Sequence, residues 1–160
     1  MKTKKIYLML AVFSAILFGQ IMNAQSYKEE TDLFQSMFGI QKKEIVANFL
    51  QLESNNAFWP LYDEYETKRK ELGLERLEAL SDYAVNYDKM DNMGYDATIK
   101  KMIKMRDQND KLIDSYYKKI KKASGAKVAG QFFQIEAYIQ SAIRTTILQE
   151  IPFIGELETN

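Results

Sequence analysis

The side chains that most often carry out chemistry in proteins are scarce in this chain. The sequence contains no histidine and no cysteine. Histidine is the commonest general base and metal ligand, and cysteine supplies thiolate nucleophiles and soft metal ligands. Any catalytic or metal site would therefore have to be built from carboxylates, hydroxyls, lysines and methionines.

One short stretch has the spacing of a nucleophilic site. Ser124-Gly-Ala-Lys127 places a hydroxyl three residues before an amine, as in enzymes whose serine is activated by lysine. A match of this length is frequent by chance, and this one lies between two predicted helices without further partners. Adjacent carboxylates such as Asp63 and Glu64 fall on charged helical faces, where a solvated surface explains them. We therefore predict no catalytic residue and no enzymatic activity.

A second stretch has to be tested as a calcium loop. Three aspartates flank Gly94: Asp88, Asp91 and Asp96. When Gly94 is placed at the sixth loop position, Lys89, Met93 and Lys100 occupy the first, fifth and twelfth positions, which need oxygen ligands. The ligand pattern fails, and we predict neither a metal site nor a cofactor.

The first 24 residues have the pattern of a secretory signal peptide. A lysine-rich start precedes an apolar run of 13 residues from Ile6 to Phe18, and the small residue Ala24 follows. The run is too short to span a bilayer. We predict cleavage after Ala24 and export to the periplasm as a soluble single domain of residues 25–160. The lack of cysteine excludes a lipoprotein anchor.

The charge of the exported chain limits its partners. The whole sequence has 22 basic and 22 acidic residues. Removing the three lysines of the signal peptide leaves 19 basic against 22 acidic residues, a net charge of −3. Nucleic-acid binding needs concentrated positive charge, so we predict no nucleic-acid partner.

Apolar residues recur every three or four positions and never alternate with polar ones, which predicts an all-α fold. The pattern delimits one short and three long helices, at about residues 42–52, 56–90, 97–123 and 127–150. Short connections between long helices predict an antiparallel helical hairpin.

The expected helix ends depend on a few polar residues and glycines. Asn56 is expected to cap the central helix, with Pro60 in its first turn, where a missing N–H costs little. Gly94 is expected in a turn with positive φ, and Asp96 is expected to cap the next helix. Gly125 is expected to end that helix.

The central helix has an expected inward stripe and aromatic residues outside it. The stripe consists of Phe58, Leu61, Tyr65 and Leu72, with the stem of Lys68 filling the gap. Trp59, Tyr62 and Tyr83 fall outside the stripes. They either pack in the core or form a partly exposed face, and they are candidate protein-binding residues.

Charge is segregated along the chain. Residues 100–127 hold ten basic and three acidic residues, a net of +7, whereas residues 56–91 hold nine acidic and five basic residues, a net of −4. Two neighbouring helices of opposite sign attract one another. The alternative is a basic surface for acidic partners, with Lys118, Lys119 and Lys122 as its candidate residues.

The last predicted helix has the most regular pattern, and an apolar tail follows it. Val128, Phe132, Ile135 and Ile139 keep a 4–3–4 spacing, and Pro152 stops the helix. The tail at 151–157 is too apolar for a free end. We expect it to dock in a groove of its own fold or of a partner.

Several segments together resemble a family of exported bacterial helical proteins known as sensors of extracytoplasmic-function (ECF) type sigma factors. They are Phe58-Trp-Pro-Leu-Tyr-Asp-Glu-Tyr-Glu66, Lys70-Glu-Leu-Gly73, Tyr83-Ala84 with Tyr87, Tyr116-Tyr-Lys-Lys119 and Phe132-Phe-Gln-Ile-Glu136. The chain is more distantly similar to the Spy/CpxP periplasmic chaperones and stress sensors. Members of that group start two helices with Leu-Thr-x-x-Gln, whereas the corresponding positions here, 52–56 and 123–127, lack the threonine and glutamine.

This resemblance implies a chaperone-like or envelope-stress-sensing protein that binds unfolded or envelope proteins. A membrane signalling partner and a homodimer are also implied as possible associations. The alternative is a structural or assembly subunit of an envelope complex that docks through its C-terminal tail.

Overall fold

The computed structural model describes residues 38–150, with side chains up to residue 148. Helix α1 covers residues 38–50, α2 covers Phe58–Asn86, and α3 covers Asn92–Glu150. These helices, with short turns between them, account for all of the described range, so the all-α prediction is confirmed there. The predicted signal peptide, residues 1–24, and the tail, 151–157, lie outside the described residues.

A single glycine divides α3 into two parts, here named α3N for residues 92–124 and α3C for residues 126–150. Gly125 has φ 89° and ψ 166°, a combination that L-residues with a side chain rarely adopt. The predicted break at Gly125 is confirmed. The four predicted helical segments are therefore present, but one residue joins the last two instead of a loop.

The start of α2 is fixed by the side chain of Asn56. Its amide oxygen accepts hydrogen bonds from the backbone N–H of Phe58 at 2.9 Å and from the hydroxyl of Ser124 at 3.0 Å. The first bond is the one predicted for Asn56, although Ala57 directly precedes the helix and makes no side-chain cap, and Pro60 lies in the first helical turn as expected. The second bond uses the hydroxyl that the sequence offered as a nucleophile to hold the kink against α2.

The turn between α2 and α3 differs from the prediction at two positions. The backbone N–H of Gly94 donates to the carboxylate of Asp91 at 2.8 Å, so Asp91 caps α3 and Asp96 does not. Asp96 lies one turn later and pairs with Lys100 at 2.6 Å. Gly94 is helical and its φ is negative, contrary to the prediction. Asp91 is the cap because α3 begins at Asn92, five residues before the predicted start.

The inward face of α2 is rotated by one residue from the predicted stripe. The buried residues of its first half are Phe58, Tyr62, Tyr65 and Arg69. Lys68, expected to fill the gap, has a side chain that is 50% exposed, and the neighbouring Arg69 is buried instead. An arginine at a core position made this shift difficult to predict from apolar residues alone.

The core is an aromatic cluster that joins α1, α2 and both parts of α3. Phe132 of α3C is fully buried and packs edge-on against Tyr65, with ring centroids 5.1 Å apart. Tyr65 also packs against Tyr116 of α3N at 5.5 Å. Val46 and Leu50 of α1 close the cluster. Such edge-to-face pairs add to the stabilisation from buried apolar area.

Contacts at both ends of α2 define its position against α3N. The hydroxyl of Tyr95 donates to the carbonyl of Tyr87 at 2.8 Å, close to the turn. At the other end of α2, Lys119 pairs with Glu64 at 3.1 Å. This ion pair joins the basic stretch to the acidic one, as the attraction between the two segments predicted. Within residues 38–150, no helix has both the length and the apolarity needed to cross a bilayer.

Candidate functional site

The structure does not support an exposed aromatic binding face on α2. Tyr62 is fully buried and Tyr83 is only 4% exposed, so the prediction of partial exposure is wrong for both. Tyr62 packs among Phe58, Tyr65 and Phe132 in the core cluster. These phenols belong to the core of the described chain, which was the alternative interpretation of the same pattern.

Trp59 is half-buried and is held by several contacts of its own fold, which include an edge-on contact with Tyr62. Its indole N–H donates to the carbonyl of Glu53 at 2.9 Å, and its ring packs edge-on against Phe58 at 5.0 Å. The ammonium group of Lys43 lies 5.8 Å from the ring centroid. Trp59 therefore fixes the entry into α2, and only part of its ring faces solvent.

The three candidate lysines lie on the surface of α3N and differ in their partners. Lys119 pairs with Glu64 and lies 4.4 Å above the ring of Tyr116. The hydroxyl of Tyr116, together with Lys119 and Lys68, lowers the pKa of Glu64 to about 2. Lys118 and Lys122 are exposed and have no ion pair within the described part of the chain. Only these two are available to meet a charged partner.

A groove of about 670 Å³ lies between the second half of α2, α3N and α3C, and we call it the interhelical groove. This volume is within the range of ligand-binding pockets. The lining is largely aliphatic and comes from all three segments. Representative lining residues are Leu72, Leu77 and Leu80 of α2, Ile99 and Ile103 of α3N, and Ile147 of α3C.

The rim of the interhelical groove exposes large apolar side chains to solvent. Ile103 is 45% exposed and Phe133 and Leu148 are each 44% exposed. Single exposed apolar residues are common on proteins, but several around one apolar depression mark an interaction surface. The spacing of Ile103 and Phe133 along the sequence gave no indication that they surround a groove, because they belong to different helical segments.

Four arginines line the same groove: Arg69, Arg76, Arg106 and Arg144. Arg69 pairs with Glu66 at 3.0 Å, and Arg106 pairs with Asp107 at 3.4 Å. Burial lowers the pKa of Arg76, and the positive charge of Arg144 lowers it further. Asp110 and Asp114 also line the groove, so its apolar lining is combined with charged groups of both signs.

A buried charge network lies next to the groove and contributes Arg69 to its lining. The ammonium group of Lys42, fully buried, lies 2.5 Å from Glu66 and 2.7 Å from Glu136. The hydroxyl of Tyr65 donates to the same oxygen of Glu136 at 2.7 Å. Arg69 completes the network and lies 5.2 Å from the ring of Phe38, which also lines the groove. The network joins α1, α2 and α3C by charge-assisted hydrogen bonds.

Two groups of this network, the Glu66 carboxyl and the Tyr65 phenol, have pKa values shifted by their surroundings. Burial raises the pKa of the Glu66 carboxyl, but the charges and hydrogen bonds of Lys42 and Arg69 outweigh it, and the net shift is downward. Burial, followed by the charge of Glu136, raises the pKa of Tyr65 well above its usual value. The Glu66 carboxylate is therefore charged and the Tyr65 phenol is neutral at pH 7. We find no nucleophile next to a base among these groups, and we interpret the network as structural.

Three buried side-chain atoms have no hydrogen-bond partner in the described range: the hydroxyls of Tyr62 and Tyr116 and Oε1 of Glu136. Burial and the charges of Glu66 and Glu136 raise the pKa of Tyr62, which keeps the phenol protonated. Buried polar atoms are usually satisfied, and ordered water is a common partner.

Sequence analysis missed both the network and the groove, although two signals were present. Glu136 lies four residues after Phe132 and three before Ile139, at a core-facing position of α3C. Lys42 lies four residues before Val46, which likewise places it at a core-facing position of α1. Charges at core positions of two different helices indicate a buried pair. The groove left no comparable signal, because its lining comes from three separate segments.

No cluster of three or more acidic residues that could hold a metal ion occurs among the residues that the structure describes. The comparisons with known proteins add no relative: no family model, curated protein or solved structure matches this chain.

Proposed function

We propose that this is an exported periplasmic protein of the Spy/CpxP-like kind, which binds exposed apolar segments of envelope proteins. Binding would shield partly unfolded clients or report their presence to a membrane signalling partner. The observation that carries the proposal is the interhelical groove, with its aliphatic lining and exposed apolar rim. An unfolded client exposes the apolar surface that such a groove can bury.

The position of the groove suits capture and release without a chemical energy source. It lies between α2 and the two parts of α3, which we propose to form an antiparallel hairpin as in that family. Its rim residues, including Ile103 and Phe133, are already exposed, so an apolar segment can enter without unfolding the core. The buried network of Lys42, Glu66 and Glu136 joins α1 to α2 and α3C, and the last two of these segments line the groove.

Electrostatic encounter is the second part of the proposal. Lys118 and Lys122 are exposed and free of ion pairs in the described range, and they lie in a stretch of net charge +7. Such a surface raises the rate at which acidic clients meet the protein, while the groove retains them.

The test is suppression of aggregation by the purified chain from residue 25 onward. At several-fold molar excess and without ATP, we expect it to reduce light scattering of an unrelated, chemically unfolded protein. Replacing Ile103 and Phe133 with serine should weaken this protection. Both side chains are exposed, so the helical fold, followed by circular dichroism, should be retained.

The matched control is Val85→Ser, which changes a side chain that is 64% exposed but does not line the groove. It should protect as well as the unchanged protein. No protection by the unchanged protein, or equal loss in the Val85 variant, would contradict the proposed function. Mass spectrometry of the exported protein should also show a first residue of Gln25, as the predicted cleavage requires.

A further inference from the structure

Two arginines face the interhelical groove without an anionic partner. Arg76 comes from α2 and Arg144 from α3C, and both line the groove. Among residues 38–148, neither guanidinium has a carboxylate within ion-pair distance. They are also close enough for the charge of Arg144 to add to the effect of burial in lowering the pKa of Arg76. The fold therefore brings two like charges together from separate helices.

This arrangement is unfavourable unless an anion is bound. Two like charges repel each other, and burying one of them removes part of its hydration. A carboxylate between the two guanidinium groups would reverse both effects, since arginine binds carboxylates through paired, charge-assisted hydrogen bonds. Arg76, which is partly buried, and Arg144, which is exposed, therefore have unused capacity to bind one negative group.

The other charged groups at the groove are not available to bind a negative group. Arg69 is neutralised by Glu66 and Arg106 by Asp107. Asp110 and Asp114 of α3N also line the groove, and both are exposed to solvent. Within the described range, the unpaired positive charges of the groove thus come from α2 and α3C, and its unpaired negative charges come from α3N.

We infer that the interhelical groove selects apolar peptide segments that carry an acidic side chain, whose carboxylate Arg76 and Arg144 bind together. This inference rests on the proposed function and adds the chemistry of the client. An inorganic anion would leave the aliphatic lining unfilled. The rim at Ile103, Phe133 and Leu148 is open to solvent, as a segment that continues into a longer chain requires. A small amphiphile is usually enclosed on most sides.

The experiment compares two dansyl-labelled peptides, one with a single glutamate among six apolar residues and one with glutamine in its place. Binding to the chain from residue 25 onward is followed by fluorescence anisotropy at pH 7. We expect the glutamate peptide to bind about tenfold more tightly, because a hydrogen bond to a charged group contributes about 1.5–3 kcal/mol. Added salt should reduce this preference.

Variants of the two arginines test whether these residues cause the preference for the glutamate peptide. Arg76→Gln and Arg144→Gln should each reduce the preference to about twofold or less. Lys121→Gln, which removes an exposed positive charge outside the groove, should leave it unchanged. Arg144→Glu should abolish the preference, because the new carboxylate would pair with Arg76 and take the place of the peptide's glutamate. This charge reversal keeps the test decisive even if one glutamine variant loses stability.

The outcomes separate this inference from the function on which it rests. If both peptides bind equally and Phe133→Ser weakens both, the groove binds apolar segments but the arginines do not select them, and the inference is wrong. If neither peptide binds, the proposed function fails as well. Arginine-dependent binding of decanoate without binding of either peptide would assign the site to an amphiphile and overturn the inference. More than tenfold tighter peptide binding after deletion of residues 151–157 would assign the groove to the chain's own tail, with the same consequence.

Discussion

The ammonium nitrogen of Lys42 lies 2.7 Å from Oε2 of Glu136, although the two residues are 94 positions apart in the sequence. Both side chains are fully buried, and a second carboxylate, that of Glu66, lies 2.5 Å from the same nitrogen. One charge therefore ties α1 to both α2 and α3C. Four expected consequences of this and other contacts can be measured on purified protein, and a fifth concerns client capture.

Replacing Lys42 with methionine should destabilise the fold by about 3–5 kcal/mol, because Glu136 would keep a buried charge without its cation. The adjacent Lys43 provides a matched control. Its side chain is 44% exposed and pairs with the exposed Asp63, so Lys43→Met should cost about 0–1 kcal/mol. Urea denaturation followed by circular dichroism measures both. Equal effects of the two variants would contradict a dominant role for the buried network.

Stability should fall in acid because the pKa of Glu66 is lowered in the folded chain. A carboxyl group whose folded pKa is depressed stabilises the fold above its unfolded pKa, near 4.5, and loses this contribution as pH falls through the folded value. The free energy of unfolding should therefore be nearly constant from pH 7 to about 5 and decrease below about 4.5. In Glu66→Gln the protein should be less stable at pH 7 and less sensitive to acid. An unchanged acid dependence in this variant would exclude Glu66 as its source.

Phe132 and Phe133 are neighbours with opposite environments. Phe132 is fully buried, whereas Phe133 is 44% exposed. Phe132→Ala should cost about 3–5 kcal/mol through lost burial and a cavity, and Phe133→Ala should cost less than about 1 kcal/mol. Chemical denaturation of the two variants compares them directly. A loss below about 1 kcal/mol for Phe132→Ala would show that α3C packs with another face.

Gly125 and Gly130 allow a test of the kink, since a Cβ at either position would meet no atom within 4 Å. Gly125 has a φ of 89°, so alanine there should cost about 1–3 kcal/mol through backbone strain alone. Gly130 lies within a regular helix, where alanine should stabilise the protein by about 0.5–1 kcal/mol. Thermal melting should show shifts of opposite sign. A stabilising Gly125→Ala would mean that the kink is not required.

Charge reversal at Lys118 and Lys122 should slow the capture of an acidic client several-fold at low salt. Lys119 is left unchanged, because its pairing with Glu64 would confuse a loss of steering with a loss of structure. The control reverses Lys89 and Lys101, which are also exposed but lie near the α2–α3 turn. Stopped-flow capture measurements at low and physiological salt distinguish the two variants. Equal slowing of capture in the two variants would show that the rate depends on the net charge of the protein and not on the position of the lysines.

Features decided within a few residues of chain were predicted well from the sequence, whereas the faces on which side chains are buried were predicted poorly. Asn56 and Gly125 were assigned correctly because a cap and a positive-φ glycine are decided within a few residues of chain. Asp96 was assigned wrongly because two aspartates competed for one cap, and Asp91 lies where the helix starts. Tyr62 and Tyr83 were expected outside the stripes because apolar spacing alone does not show that Arg69 shares the buried face with them.

By itself, the sequence determined the helical class, the break points and the segregation of charge, since these follow from periodicity, glycine conformation and composition. Tertiary structure alone decided which charges are buried and where the groove lies. The pairing of Lys42 with Glu136 and the convergence of Arg76 and Arg144 each join helices that are distant in the chain. Burial and Coulomb energy depend on distances in space, and no local pattern of residues specifies those distances.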